Sequence, residues 1–281
     1  MGVVGFGLVC LLVSLPRWRE TARMAGCQQN LMRIGVGLQL YHQAARRYPT
    51  VPTLGGSVGD SPFKAMLDSL ALPDFLELKD PGSKPKPTVA AARGVRVPGL
   101  SCPSDPHAMT RLFNAPISYR GNAGDTPDGL HGPFEPGRVV TAAGVEAADG
   151  LSFTAAFAER LVGDGRDDHP APINYASTPG PVGGLDNSIG PWRGDAGSDW
   201  AEAAWRSTLY NHALMPGSPA PSRIAVDGGT AAIGASSAHP NRINVLLLDG
   251  SLRVVTPTIN PDVWRALATT GVESAPTPPA K

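Results

Sequence analysis

The sequence has little charge and no excess of either sign. Charged residues make up 17% of the 281 residues, and 24 basic side chains balance 24 acidic ones, whereas a typical soluble domain is about 25% charged. Domains that bind nucleic acid usually carry a basic surplus, so the composition gives no indication of such a partner. The low charge also favours a folded chain over a disordered one.

The sequence also lacks the motifs of common catalytic and cofactor sites. It contains no Walker loop, no EF-hand spacing and no Gly-x-Gly-x-x-Gly after a predicted strand, and no nucleophile elbow surrounds Ser236 or Ser237 near His239. Its three cysteines form no Cys-x-x-Cys, and its six histidines include no His-Glu-x-x-His, so the spacing does not support zinc. We therefore expect a protein that is not an enzyme and that needs neither a cofactor nor a metal ion.

Glycine and proline, in contrast, are abundant. The 33 glycines and 29 prolines amount to about 22% of the chain, against roughly 12% in an average protein. Both residues are unfavourable inside helices and strands. The composition therefore excludes a bundle of long helices or a regular βαβ array, and it favours short strands joined by many turns.

The first 48 residues differ from the rest in charge and pattern. Residues 1–16 carry no charge, and the apolar run 3–15 would form about 20 Å of helix, short of the ~30 Å hydrocarbon core. We predict that residues 1–16 form a short hydrophobic membrane segment. Residues 1–47 contain six arginines and one acid, Glu20, for a net charge of +5, and the remainder carries −5.

An amphipathic helical stalk is predicted over residues 17–48. Its apolar residues recur at intervals of three and four and so fall on one helix face: Met24, Cys27, Leu31, Ile34, Leu38, Tyr41 and Ala45. This stripe either packs on the domain that follows or self-associates as a coiled coil. The helix should end at Tyr48-Pro49.

Residues 49–273 are predicted to form a β-rich, mainly antiparallel head with long loops, and residues 274–281 a disordered tail. The fold class is therefore α+β. An Asp249-Gly250 pair between two β-rich runs predicts a two-residue hairpin turn with positive φ at both residues. Helices are predicted at 62–78 and 260–267, and strands at 95–100, 117–119, 138–145, 153–159, 223–226, 243–248 and 251–255.

Two further groups of side chains have alternative interpretations. Asp164, Asp167, Asp168 and His169, or Asp195 with Asp199, are either solvated loop residues or a calcium site without EF-hand spacing. Trp192, Trp200 and Trp205 either belong to a minor core or form a platform for a glycan or protein partner. His239 and Asp249 are separated by about 30 Å of extended chain, which argues against a catalytic pair.

Six short sequence blocks follow one another along the chain. Their most characteristic residues are Cys27, Asn30, Leu31, Gly35, Tyr41, His42, Cys102, Pro103, Asp105, Asn122, Gly124, Asp149, Gly150, Glu159, Asn211, His212, His239, Asp249 and Gly250. The blocks resemble a large bacterial family of prepilin-like proteins, domain of unknown function 1559, which has a C-terminal His-x(9)-Asp-Gly signature. His239 and Asp249-Gly250 match this signature.

The resemblance implies a fold and a class of function. It implies a type IV pilin-like or type II secretion pseudopilin-like protein that is anchored in the inner membrane by a single N-terminal helix, with its head outside the cytoplasm. The positive-inside rule points the other way, because Arg17, Arg19 and Arg23 directly after the apolar run would leave the body in the cytoplasm. Partners would be other pilin-like subunits or envelope components. The alternative is an extracytoplasmic module that binds a glycan or a protein. The prepilin signal itself is incomplete, because Cys10 stands where the family pattern has glutamate.

Cys27 and Cys102 are either two independent thiols or a disulfide that ties the stalk to the head. A disulfide would require an oxidising compartment, and it would close a loop of about 75 residues worth about 4 kcal/mol on the chain-entropy model.

Overall fold

The computed structural model describes residues 2–55, 59–66, 94–184 and 188–271, with side chains from Trp18 onward. A single long helix, α1 (Gly2–Ala45, 44 residues), opens the chain and has a length of roughly 66 Å at ~1.5 Å per residue. It ends at Arg46, whose φ of 57° is left-handed and whose amide donates to the carbonyl of His42. No helix in the part of the chain that the structure describes is both long and apolar enough to cross a membrane.

The head that follows contains many short elements. Its helices are α2 (Pro62–Ala65), the 3-10 turn η1 (Pro98–Leu100), α3 (Ala142–Ala147), the 3-10 turn η2 (Leu151–Phe153) and α4 (Pro261–Ala266). Its strands are β1 (Gly59–Asp60), β2 (Tyr119–Asn122), β3 (Ala155–Glu159), β4 (Tyr175–Thr178), β5 (Trp192–Arg193), β6 (Glu202–Ala203), β7 (Leu209–Tyr210), β8 (Ser222–Ala225), β9 (Ala231–Ala232), β10 (Ile243–Leu247) and β11 (Leu252–Val255).

The central sheet has five strands in the order β11-β10-β3-β2-β7. Its pairs are antiparallel except that β2 and β7 run parallel. A second sheet, β5-β4-β8-β9, contains one parallel pair, β4 with β8, and β1 pairs with β6. The α+β prediction is confirmed, although the head is mixed rather than purely antiparallel.

Helix α1 packs its apolar stripe on the central sheet, as predicted for a helix that covers the head. Cys27, Leu31, Ile34 and Leu38 are fully buried, and Tyr41 is partly buried. Gly35 lets the helix approach β10 closely, because a Cβ at this position would lie 3.1 Å from the side chain of Leu246. All five residues of β10 are buried, which fits a strand covered on both faces.

The hairpin between β10 and β11 is present, but its turn differs from the prediction. Gly250 has a φ of 86°, whereas Asp249 is not among the residues with positive φ. The amide of Gly250 donates to the carbonyl of Leu247, and the amide of Leu247 donates to the carbonyl of Ser251. This pattern is a three-residue loop in which a left-handed glycine forms a bulge, and it needs only one positive φ.

Two strand predictions are wrong. Residues 95–100 contain the 3-10 turn η1, which has Pro98 in its first turn. Residues 138–145 lead into helix α3, because the Thr141 side chain caps the amide of Gly144 ahead of an alanine-rich segment. The predicted helix 62–78 is described only as α2, since residues 67–93 lie outside the described residues, as does the predicted tail 274–281.

Candidate functional site

A buried cluster joins helix α1 to the head. Cys27 comes from α1, Cys102 from the loop after η1, Glu159 from the last position of β3, and His239 from the loop before β10. All four residues are buried, and one ligand atom from each lies within 4.8 Å of those of the others. We call these four residues, together with Glu20 of α1, the clasp.

The sulfur atoms of the clasp form a disulfide. Cys27 and Cys102 are bonded, and their Cα atoms are 4.9 Å apart at a sequence separation of 75 residues. The bond connects the middle of α1 covalently to the loop that precedes the central sheet. Next to it, the Asn30 amide donates to the carbonyl of Ser101, and the Tyr119 hydroxyl donates to the carbonyl of Cys27.

His239 lies between two carboxylates. Its Nδ1 is 2.5 Å from Oε1 of Glu20, and its Nε2 is 3.5 Å from Oε1 of Glu159. The same Nε2 lies 3.7 Å from the Sγ of Cys102. Burial alone would lower the pKa of His239, but the carboxylates of Glu159 and Glu20 outweigh it and raise the pKa above its usual value.

A second layer of hydrogen bonds holds Glu159 in place. Asn244 donates its backbone amide to Oε2 of Glu159 at 2.9 Å and its side-chain amide to Oε1 at 3.0 Å. The Gln28 amide donates to Oδ1 of Asn244. On the other side of the clasp, the Ser104 hydroxyl donates to Glu20. The geometry of the clasp is therefore fixed by neighbours from both α1 and the head.

Asp105 is buried close to the clasp and organises its loop. One of its oxygens accepts from the amides of His107 and Ala108, and the other accepts from the Ser118 hydroxyl and the Val162 amide. Burial raises the pKa of Asp105, and these hydrogen bonds oppose the rise. The carboxylate thus connects the Cys102 loop to the segments that flank β2 and β3.

Other predicted family residues satisfy backbone groups of the short strands. Asn122 donates to the carbonyls of Ala155 and Ala268, and Asn211 donates to Thr126 and Ala231. His212 lies in the core, with Nδ1 at 2.6 Å from the Trp264 carbonyl and Nε2 at 3.1 Å from the Tyr210 hydroxyl. These side chains are structural parts of the head.

A third group of family residues shapes turns. Gly124 and Gly150 have φ values of 131° and 87°. Asp149 accepts from the Thr269 hydroxyl, and Asp249 accepts from the amide and hydroxyl of Ser251. His239 therefore belongs to the clasp and Asp249 to the hairpin turn, and the structure shows no contact between them among the described residues.

The remaining family residues make packing contacts. Gly35 and Leu31 pack on the sheet, His42 lies near Tyr48, and Pro103 faces Gly26.

Neither Glu20 nor the residues that bind the clasp, Ser104 and Asn244, was predicted for this site from the sequence. The family signature singled out His239 without a partner, and the structure places it against Glu20 of α1. The available signal was charge, because Glu20 is the single acid among six arginines in residues 1–47. Nothing in the sequence paired it with His239, 219 positions away.

The other predicted groups lie elsewhere. Asp164 is bound by Arg166, His169 and Asn174, which together lower the pKa of its carboxyl although burial opposes them. Trp200 and Trp205 are fully buried and so belong to the core rather than to an exposed platform. The Trp200 indole donates to the carbonyl of Val95.

One open cavity of about 360 Å³ lies against the two inner strands of the second sheet, β4 and β8. Its lining includes Tyr175, Trp205, Arg206 and Val226. Arg206 pairs with Glu202 at 2.7 Å and with Asp195 at 3.2 Å, and the Tyr175 hydroxyl donates to Asp195. The cavity thus offers apolar and aromatic surface beside an ion pair.

The fold and the clasp define a class of protein in which a long N-terminal helix is fastened to a β-rich α+β head. The chain belongs to the family of proteins of unknown function DUF1559, which matches residues 16–262. No curated protein and no solved structure shows a significant match to the chain.

Proposed function

We propose that this protein is a non-enzymatic, membrane-anchored component of the cell envelope, with a pilin-like or pseudopilin-like organisation and a structural or secretion-associated role. The observation that carries the proposal is the continuity of α1. The apolar run 3–15 and the helix face that is clamped to the head belong to one uninterrupted helix, Gly2–Ala45. An apolar segment joined in this way would hold the head at a fixed place beside a membrane.

The disulfide supports a head outside the cytoplasm. Disulfides persist in oxidising compartments and are rare in the cytosol. Cys27 and Cys102 are both buried, so the bond lies within the joint between helix and head. The proposed location is therefore the outer side of the inner membrane, with other pilin-like subunits or envelope components as partners.

Membrane fractionation with protease added from each side tests anchor and orientation together. We expect the chain in the membrane fraction and a head that is cleaved only from outside. Paired Leu11→Asp and Leu12→Asp substitutions should release the protein, whereas Ala22→Asp, at an exposed position of α1, should not. A wild-type chain recovered entirely in the soluble fraction would overturn the proposal. Co-purification with envelope components would support the assignment of partners.

A second candidate function is ligand binding by the head, and the 360 Å³ cavity favours it. Trp205 is a lining residue of the cavity, and tryptophan emission responds to changes around a buried side chain, so a bound glycan or peptide should change tryptophan fluorescence. Val226→Asp, at an exposed lining position, should abolish that change, whereas Val254→Asp, at an exposed position of β11, should not. A panel of glycans and peptides without any fluorescence response would remove this candidate.

A further inference from the structure

The clasp contains the chemical groups of a zinc site. Two cysteine sulfurs, a histidine nitrogen and a carboxylate oxygen come together in one buried place. Zinc binds these three ligand types with about 2.0–2.3 Å bonds, and structural zinc sites are almost always tetrahedral. The disulfide occupies both sulfurs, so zinc and the S–S bond exclude each other.

We propose that Cys27, Cys102, Glu159 and His239 bind a zinc ion when the Cys27–Cys102 disulfide is reduced. The same residues can then cross-link α1 to the head in two alternative ways, through a disulfide bond or through a metal ion. This inference concerns the joint and does not depend on the envelope role.

Two of the distances between the ligand atoms already fit a tetrahedron, and all four atoms lie within 4.8 Å of one another. Zinc bonds of about 2.0–2.3 Å place a nitrogen and a sulfur ligand about 3.6 Å apart, and a nitrogen and an oxygen ligand about 3.4 Å apart. The structure has 3.7 Å between Nε2 of His239 and Sγ of Cys102, and 3.5 Å between this Nε2 and Oε1 of Glu159. The two sulfurs must separate to about 3.8 Å, which side-chain rotation of the cysteines can provide after reduction.

The surroundings also match those of known metal sites. Histidine ligands almost always donate their second ring N–H to a carboxylate, a carbonyl or water, and ligating carboxylates are themselves hydrogen-bonded. Here Nδ1 of His239 faces Glu20 at 2.5 Å, and Glu159 is held by both amides of Asn244. The hydrogen bonds that would orient the zinc ligands are therefore present before any metal binds.

The chemical steps balance with a dithiol as reductant. The dithiol breaks the S–S bond by exchange, gives two thiols on the protein and leaves as its own cyclic disulfide. Zinc then replaces the protons of both thiols and the proton on Nε2 of His239. Because Cys27 and Cys102 are buried, reduction requires local separation of α1 from the head.

The test compares the oxidised and the reduced full-length chain. A Cys10→Ser background removes the third thiol, and a phosphine reductant opens the disulfide to two thiols while it takes an oxygen atom from water and becomes the phosphine oxide. After excess reductant is removed without air, the protein receives Zn²⁺ alone, and bound metal is measured by elemental analysis. We expect a single equivalent on the reduced chain and none on the oxidised chain. Co²⁺ in place of Zn²⁺ should give the charge-transfer absorption of thiolate ligands.

Matched variants separate the site from adventitious binding. His239→Gln should abolish the zinc uptake, whereas His131→Gln, at a histidine of the head outside the clasp, should retain it. Glu20→Gln should weaken binding by about 10- to 100-fold, because Glu20 orients His239 without touching the metal. Glu20 is partly exposed, so this variant should still fold.

Three results would overturn the proposal. One is a reduced chain that binds no more zinc than the Cys27→Ser/Cys102→Ser double variant. Another is a cobalt spectrum without thiolate bands. The third concerns folding: if reduction unfolds the chain and added zinc does not restore the native circular dichroism, the site does not form.

Discussion

At the scale of single residues, asparagine side chains form hydrogen bonds with backbone groups that a neighbouring strand would usually bind. Strands β7 and β9 have two residues each, so they leave backbone groups without ladder partners. Asn211 donates to the carbonyls of Thr126 and Ala231 and accepts from the amide of Ile233. Buried backbone groups are costly when unpaired, and one side chain satisfies three of them here.

Two glycines with positive φ should differ sharply in their tolerance of a side chain. At Gly124 a Cβ would lie 1.7 Å from the carbonyl oxygen of Leu130, whereas at Gly250 nothing lies within 4 Å. Gly250→Ala should lower the free energy of unfolding by only about 1–2 kcal/mol, the cost of a left-handed residue. Gly124→Ala should prevent native folding, because backbone must move. Urea denaturation of both variants measures the difference, and equal effects would contradict this explanation.

His212 should make the head sensitive to acid. Burial lowers the pKa of His212 to about 3 although the Trp264 carbonyl favours the charged form, while histidine in an unfolded chain titrates near 6.5. Above pH 6.5 both states are neutral and stability is unaffected. As the pH falls towards 3, His212 binds a proton in the unfolded chain but not in the folded chain. The free energy of unfolding therefore declines.

Urea denaturation at several pH values between 4 and 7 measures this decline. His212→Gln should show a shallower loss of stability in this range, from a lower starting value. Leu31→Ala, which also destabilises the fold at a fully buried position but removes no titrating group, is the control and should keep the wild-type slope. An unchanged slope in His212→Gln would contradict the assignment.

At the scale of elements, periodicity predicted α1 because the helix buries one regular face, and the Asp249-Gly250 pair between two β-rich runs predicted the β10–β11 hairpin. Leu31, Ile34 and Leu38 follow the helical repeat and are buried as expected. The two strands that were predicted wrongly, 95–100 and 138–145, had no such regular buried face or turn signal. Residues 138–145 form no strand, and the Thr141 cap decides their conformation. Local propensity could not decide which short apolar runs would find a partner strand.

The clasp could be predicted only in part for the same reason. The cysteines and His239 stood out in the sequence, but their meeting depends on the packing of α1 across the sheet. Glu20 and Asn244 have no local signature for this role. Contacts between polar side chains that are far apart in the sequence are set by the tertiary structure. A single sequence contains no local pattern that predicts them.

The apolar stripe of α1 should carry most of the energy of helix packing. Leu31→Ala removes a fully buried side chain and should lower the free energy of unfolding by about 2–5 kcal/mol. Met32→Ala, at the neighbouring position that is 48% exposed, should change it by less than about 0.5 kcal/mol. Chemical denaturation measures both, and similar values would mean that the stripe is not the packing face.

At the scale of the whole molecule, the disulfide is the strongest single link between α1 and the head. It spans 75 residues, and the chain-entropy model gives a contribution of about 4 kcal/mol for such a loop. The Cys27→Ser/Cys102→Ser double variant, measured with a chelator present, should lose stability of this order. Cys10→Ser should retain the wild-type denaturation midpoint. A double variant as stable as the wild type would show that noncovalent packing alone fastens the helix.

The position of the bond also has a mechanical consequence. A pull between the start of α1 and the end of the head is transmitted from Cys27 to Cys102 through the disulfide, so the 74 residues between them carry no direct tension. The force is therefore not transmitted through the second half of α1, through η1 or through the chain that connects them. In a stretched molecule, the part of α1 after Cys27 and the turn η1 therefore keep their structure for as long as the sulfur atoms stay bonded, because the force is transmitted through the disulfide.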